Sequence, residues 1–221
     1  MKHPTLKFQE SMEDPGTYNL LWPEKDLLFD AWALGMGWAE RLPGWIVFLG
    51  KEARYPPVEN YYHVLLEERA STNIDLLDKA VALVSRHQIR SVFARMDRAM
   101  SDFLARYNAQ ARGGRRKQIS VRQAPHADNS GDMTYFVSLL QERLRRTSPT
   151  LFIPQNSPLV SELVNVSAKT TVRDFDHPGL GALAYALAGL EAFGDASMSI
   201  RDGGRTDRER NTWDPLHRNG R

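Results

Sequence analysis

The chain predicts an α/β domain with a mixed sheet, and three observations carry that expectation. An apolar run, Trp45-Ile-Val-Phe-Leu-Gly-Lys-Glu52, leads into Tyr55-Pro-Pro-Val-Glu-Asn60, and a second extended run returns from Tyr61 to Glu68. Prolines cannot continue a central ladder, so this is the text of a β-hairpin. Beyond it, stretches of helical periodicity alternate with short apolar runs, the pattern that lays helices against a sheet. Finally, Gly179 to Phe193 is Gly- and Ala-rich, and Glu191 interrupts it. It reads as a packed helix rather than a membrane span, which needs about 20 apolar residues.

Each element follows from a local signal. Leu27 to Arg41 is expected as a short helix, weakened by Gly35 and Gly37 at roughly 1 kcal/mol each. After the hairpin, Ser71, Thr72 or Asn73 can cap a helix from Ile74 to Gln88, with Leu77, Ala80, Val81 and Val84 on one face. Ile89 to Asp97 is a third strand, and Ala99 to Ala111 a helix that Gly113-Gly114 terminates. Ile119 to Arg122 is a short fourth strand, Asp132 to Arg146 a helix, and Leu151-Phe-Ile153 a fifth strand closed by Pro154. Pro158 to Val166 and Pro178 to Phe193 are the last helices.

This divides 221 residues into an aromatic-rich extension (1–44), a domain (45–194) and an Arg-rich tail (195–221) expected to be disordered. The extension carries Trp22, Trp32 and Trp38, expected against the domain edge or a partner.

Composition removes several classes. Zero cysteines exclude disulfides and thiolate zinc sites, and agree with a reducing cytoplasm. The N-terminus has no signal-peptide core. No Gly-x-x-x-x-Gly-Lys-Ser/Thr loop and no Gly-x-Gly-x-x-Gly fingerprint occur, so those nucleotide-binding devices are absent. The formal net charge is only +2, yet Arg112, Arg115, Arg116 and Lys117 flank a Gly-Gly pair, with Arg122 behind them. Such a loop can hold phosphates, or it can be simply solvated.

The candidate chemistry rests on carboxylates at element ends. Glu52 closes one strand, Asp97 closes another in Ser91-Val-Phe-Ala-Arg-Met-Asp97, and Asp176 opens the last helix, with Asp174 two residues earlier. If they converge, they can hold two hard divalent cations that activate water against a phosphodiester. Each also has a plainer reading. Glu52 lies beside Lys51 and Arg54, Asp97 lies between Arg95 and Arg98, and Asp176 can cap its helix ahead of Pro178. His177 can support the ligands or act as a general acid, or be simply a surface histidine, and His126 and Asp128 are lesser candidates for the rim.

The order of parts from Trp45 to Phe193 resembles the ribonuclease H-like nuclease domain of phage terminase large subunits. In that family a Gly-x-Asp supplies the first acid, and Gly50-Lys-Glu52 is the matching text. A strand ending in an acid supplies the second, matched by Asp97. The closing helix reads Asp-Ala-Leu-Ala-Tyr-Ala-Leu, similar to Asp176-His-Pro-Gly-Leu-Gly-Ala-Leu-Ala-Tyr-Ala-Leu187, with Pro178 and Gly181 where the family places acids. Leu151-Phe-Ile-Pro154 ahead of a helix carrying Glu162 also resembles the family.

The resemblance implies a ribonuclease H-like mixed sheet flanked by helices. It also implies a metal-dependent DNA endonuclease in viral genome packaging, in the host-cell cytoplasm. Glu52 and Asp97 would hold one Mg²⁺ or Mn²⁺, and Asp97 and Asp176 (or Asp174) the other. The Arg112-to-Lys117 loop and Arg122 would grip double-stranded DNA. A packaging ATPase or portal protein would be the partner, since no ATPase motif is in this chain. The alternative is a module that keeps the nuclease fold without activity and binds DNA or a packaging partner.

Overall fold

The computed structural model describes residues 4–11, 17–38, 43–54, 59–112, 117–128, 130–145, 147–166, 172–174, 176–193 and 200–201. The chain opens with strands β1 (Lys7–Glu10), β2 (Thr17–Trp22), β3 (Leu27–Gly37), β4 (Gly44–Glu52) and β5 (Tyr62–Ala70). Helices and short strands then alternate through α1 (Asn73–His87), β6 (Val92–Ala94), α2 (Arg98–Ala111), β7 (Arg122–Gln123), α3 (Thr134–Arg143) and β8 (Leu151–Phe152). Two helices follow, α4 (Pro158–Val166) and α5 (Pro178–Phe193), and then β9 (Ile200–Arg201).

All the strands join one mixed, mostly antiparallel sheet flanked by helices. β3, β4 and β5 form an antiparallel meander, with Gly37 opposite Trp45 and Lys51 opposite Tyr62. β6 pairs parallel to the second half of β3, and β7 parallel to β6. β2 takes the first half of the same β3 edge, antiparallel, and β8 runs parallel beside β5. The parallel pairs are reached through helices because such a connection has to cross the sheet.

The expected helix from Leu27 to Arg41 is instead β3, as far as Gly37. Ala31 to Gly37 are all buried, and a strand covered on both faces reads as a continuous apolar run. Such a run has no period with which to distinguish strand from helix. Gly35 and Gly37 are where α5 crosses the strand. A Cβ on Gly35 would lie 1.8 Å from the Ala182 carbonyl oxygen, and one on Gly37 1.7 Å from that of Pro178. Residues 1–44, expected as an extension, therefore supply a strand paired on both edges.

The sheet separates two cores. One packs Ala33, Val47 and Val64 against α5, with Phe136 and Leu159 behind it. The other packs Trp32, Leu34, Phe48 and Leu65 against α1 and α2 through Leu77, Ala80, Met100 and Tyr107. α1 starts where Thr72 accepts the Asp75 N–H at 3.1 Å. In α5, every residue from Pro178 to Leu190 is buried, as its near-absence of polar side chains requires. No helix among the described residues is long and apolar enough to cross a membrane.

The remaining expected elements fall within a few residues of those observed. Ile89–Asp97 shortens to β6 and Ile119–Arg122 moves to β7. In the tail expected to be disordered, Ile200–Arg201 pairs with β2, and the rest of that expectation lies outside the described residues.

Candidate functional site

Asp97 sits just past the end of β6, where its backbone is extended and α2 begins. Its Oδ1 accepts the Met100 N–H at 2.8 Å, an N-cap. Its Oδ2 accepts the Arg95 Nη1–H at 2.6 Å. Arg95, two residues earlier, is buried and turns inward beneath α5. Its Nε–H donates to Asp174 Oδ2 at 2.6 Å. The same oxygen accepts the Tyr185 hydroxyl at 2.6 Å, and Asp174 is only 2% exposed. One guanidinium thus lies between the two carboxylates.

The electrostatics fit this arrangement. Burial disfavours the Arg95 charge, but Asp174 and Asp97 outweigh it and hold the guanidinium above its usual pKa. Burial, and then the Asp174 charge, push the Tyr185 phenol far upward, so it stays a donor. Asp174 is placed by backbone: its N–H donates to Gly131 O at 3.0 Å, and His177 N–H donates to Asp174 O at 3.1 Å. The next helix, α5, is capped from outside. Glu162 on α4 accepts the Leu180 N–H at 2.8 Å, although burial raises the Glu162 pKa. Asp176 is exposed and His177 buried.

Glu52 does not join this centre. It lies opposite Phe29 on β3, whereas Ala94, three residues before Asp97, lies opposite Met36. At about 3.3 Å per residue, this separates the two sheet ends by roughly 20 Å. The sequence located both residues at strand ends, but antiparallel pairing sends those ends in opposite directions. Glu52 has its own partners: Arg54 Nε–H donates to Oε1 at 2.9 Å, and His63 Nε2 meets Oε2 at 2.9 Å. Burial pushes the Glu52 pKa up, but Arg54 and His63 outweigh it and hold it low.

The basic loop is also remote from Asp97. α2 carries the chain from Asp97 to Ala111 over 14 residues, about 20 Å at 1.5 Å per residue. Arg112 and Lys117 are exposed, and Lys117 Nζ reaches Ser85 Oγ at 3.3 Å near the end of α1. Arg122, also exposed, is not with them: it opens β7 opposite Phe93 of β6, and the side chain of Gln123 after it accepts the Met96 N–H. Arg115 and Arg116 lie outside the described residues. His126 is exposed with φ 62° and rests on Tyr135 at 4.3 Å, while Asp128 turns its own loop by accepting from Ser130.

The expected Mg²⁺ or Mn²⁺ pair is not suited by these residues. A hard dication takes about six oxygens. Asp97 Oδ2 and Asp174 Oδ2 already face a fixed positive charge, Glu52 is at the other end of the sheet, and Asp176 is on the surface. Among the described residues, no three Asp, Glu, His or Cys side chains group so as to hold a metal. The residue the sequence reading missed is Arg95. Its signal is an arginine between an apolar strand and an acid, a pattern that by itself reads as a surface partner for Asp97.

No family model, curated protein or solved structure matches this chain.

Proposed function

We propose that this chain is a ribonuclease H-like module that no longer cuts and serves by binding DNA or a packaging partner. The observation that carries the reading is Arg95, whose guanidinium occupies the space between Asp97 and Asp174. A divalent cation brought there would meet a like charge, and Arg cannot be deprotonated to admit it.

The order of strands supports the fold assignment: an antiparallel meander β3–β4–β5, then β6 and β7 added in parallel on the other edge of β3, reached through α1 and α2. In that order the first strand is β3, not β4. The family's Gly-x-Asp text then falls on Gly35-Met36-Gly37, which carries no acid. Gly37 abuts Pro178, and Gly181 faces Asp174, the two positions where the closing motif would hold its own acids. Glycine, arginine and proline together occupy the place of the metal ligands.

The test is plasmid cleavage with Mg²⁺ or Mn²⁺, against EDTA and Asp97→Ala. Intact plasmid throughout is expected. Nicking that needs metal and disappears in Asp97→Ala would overturn the proposal.

A further inference from the structure

We infer that the end of the molecule where α1 and α2 terminate is a surface for the phosphate backbone of double-stranded nucleic acid. It lies opposite the Arg95 centre. The inference rests on the binding reading above and specifies its site and ligand class.

Two stretches of this chain are without acids. Between Asp78 and Asp97 there is no carboxylate, and between Asp102 and Asp128 there is none either. These two stretches supply the last turns of α1 and α2 and the connections that follow them. Their ends lie together: Lys117 reaches Ser85, and the Asn108 side chain bonds both the N–H and the C=O of Ile119. The exposed cations there are Arg86, Arg90, Arg112 and Lys117, and among the described residues none is paired with a carboxylate. Helix C-termini favour a nearby cation, which accounts for Arg86 and Arg112 singly. It does not account for Arg90 and Lys117, nor for the lack of any acid.

The opposite end is mixed in charge: Asp97, Asp128, Asp132, Asp174 and Asp176 stand there with Arg95, Arg98 and Arg173. A polyanion is drawn to the end that carries cations without acids. A cutting enzyme would need its grip and its carboxylates at one place, and here the length of α2 separates them.

The surface also selects among anions. Exposed large apolar side chains occur at Phe8, Ile74, Tyr135, Phe152, Val160, Val164 and Phe193, and none belongs to the acid-free stretches. Binding of single strands relies on aromatic stacking platforms, and membrane surfaces on apolar side chains that insert. Charge without rings or wedges suits a duplex held by its phosphates, which fixes position without reading bases.

The experiment is anisotropy of a labelled duplex and of a single strand of equal length, over a salt series. It uses the wild type, the variant Arg86→Ala/Arg90→Ala/Arg112→Ala/Lys117→Ala and a control, Lys7→Ala/Lys25→Ala/Arg98→Ala/Arg145→Ala. The control removes equal charge elsewhere, and unchanged circular dichroism verifies folding of both. The expected result is duplex binding that falls more than tenfold in the first variant only. The slope of log K against log salt should shrink by about 0.9 for each phosphate that is no longer neutralised. Equal losses in the two variants, or wild-type affinity in the first, would refute this surface while leaving DNA binding standing. Tighter binding of the single strand, or of anionic vesicles, would refute the duplex. No binding to DNA by the wild type would remove the DNA branch of the proposed function as well.

Discussion

Arg95 and Asp174, 79 residues apart, meet at 2.6 Å beneath α5, with side chains only 8% and 2% exposed. The pair ties the end of β6 to the segment that starts α5. Through Asp97, it also ties both to the first turn of α2. Burial makes the contact costly to break, because removing one partner leaves the other's charge without compensation.

Arg95→Ala should therefore destabilise the protein by about 3–5 kcal/mol. Urea denaturation would measure it. The prediction fails if the loss is under about 1 kcal/mol, the value of an exposed ion pair.

The crossing of α5 over β3 allows a paired test with glycines. Gly37→Ala places a methyl 1.7 Å from the Pro178 carbonyl oxygen, and backbone cannot give way cheaply. A loss of about 2–3 kcal/mol is expected. Gly181→Ala meets nothing nearer than the Asp174 Cβ at 3.3 Å. Its gain in helix propensity, up to about 1 kcal/mol, offsets the tighter contact and leaves stability nearly unchanged. Thermal denaturation of both variants decides it, and equal melting points would show that the crossing is not fixed by Gly37.

His63 supplies a pH test. Burial lowers its pKa below the usual value, while the Glu52 carboxylate pulls in the other direction without prevailing. The folded protein thus binds a proton at His63 less readily than the unfolded chain. The stability this contributes is fully present above about pH 6.5, and is lost as pH falls through the folded pKa. Glu52→Gln removes the opposing carboxylate, so the His63 pKa should drop further. Proton NMR of the imidazole would follow it, and an upward move in Glu52→Gln would contradict the geometry.

Much of the fold was legible locally. Thr72, one of three caps expected ahead of α1, acts within a few residues, so its chemistry is contained in the text; the cap that Asp97 gives α2 is equally local, but the residue read first as a metal ligand. β3 was not legible, because a strand buried on both faces loses the alternation that identifies strands. The site was legible only in part. Asp97 and Asp174 do come together, but Glu52 does not, since strand direction depends on pairing that is not written beside it.

The sequence by itself determined an α/β chain with its five helices from α1 onward, its central hairpin and a closing helix too apolar to sit anywhere but inside. Tertiary structure alone decided what the carboxylates face. Arg95 lies two residues from Asp97 and 79 from Asp174, and only the packing of α5 across Gly35 and Gly37 closes that second distance. Once buried together, the charges had to be neutralised, and the nearest cation was a side chain of the protein itself.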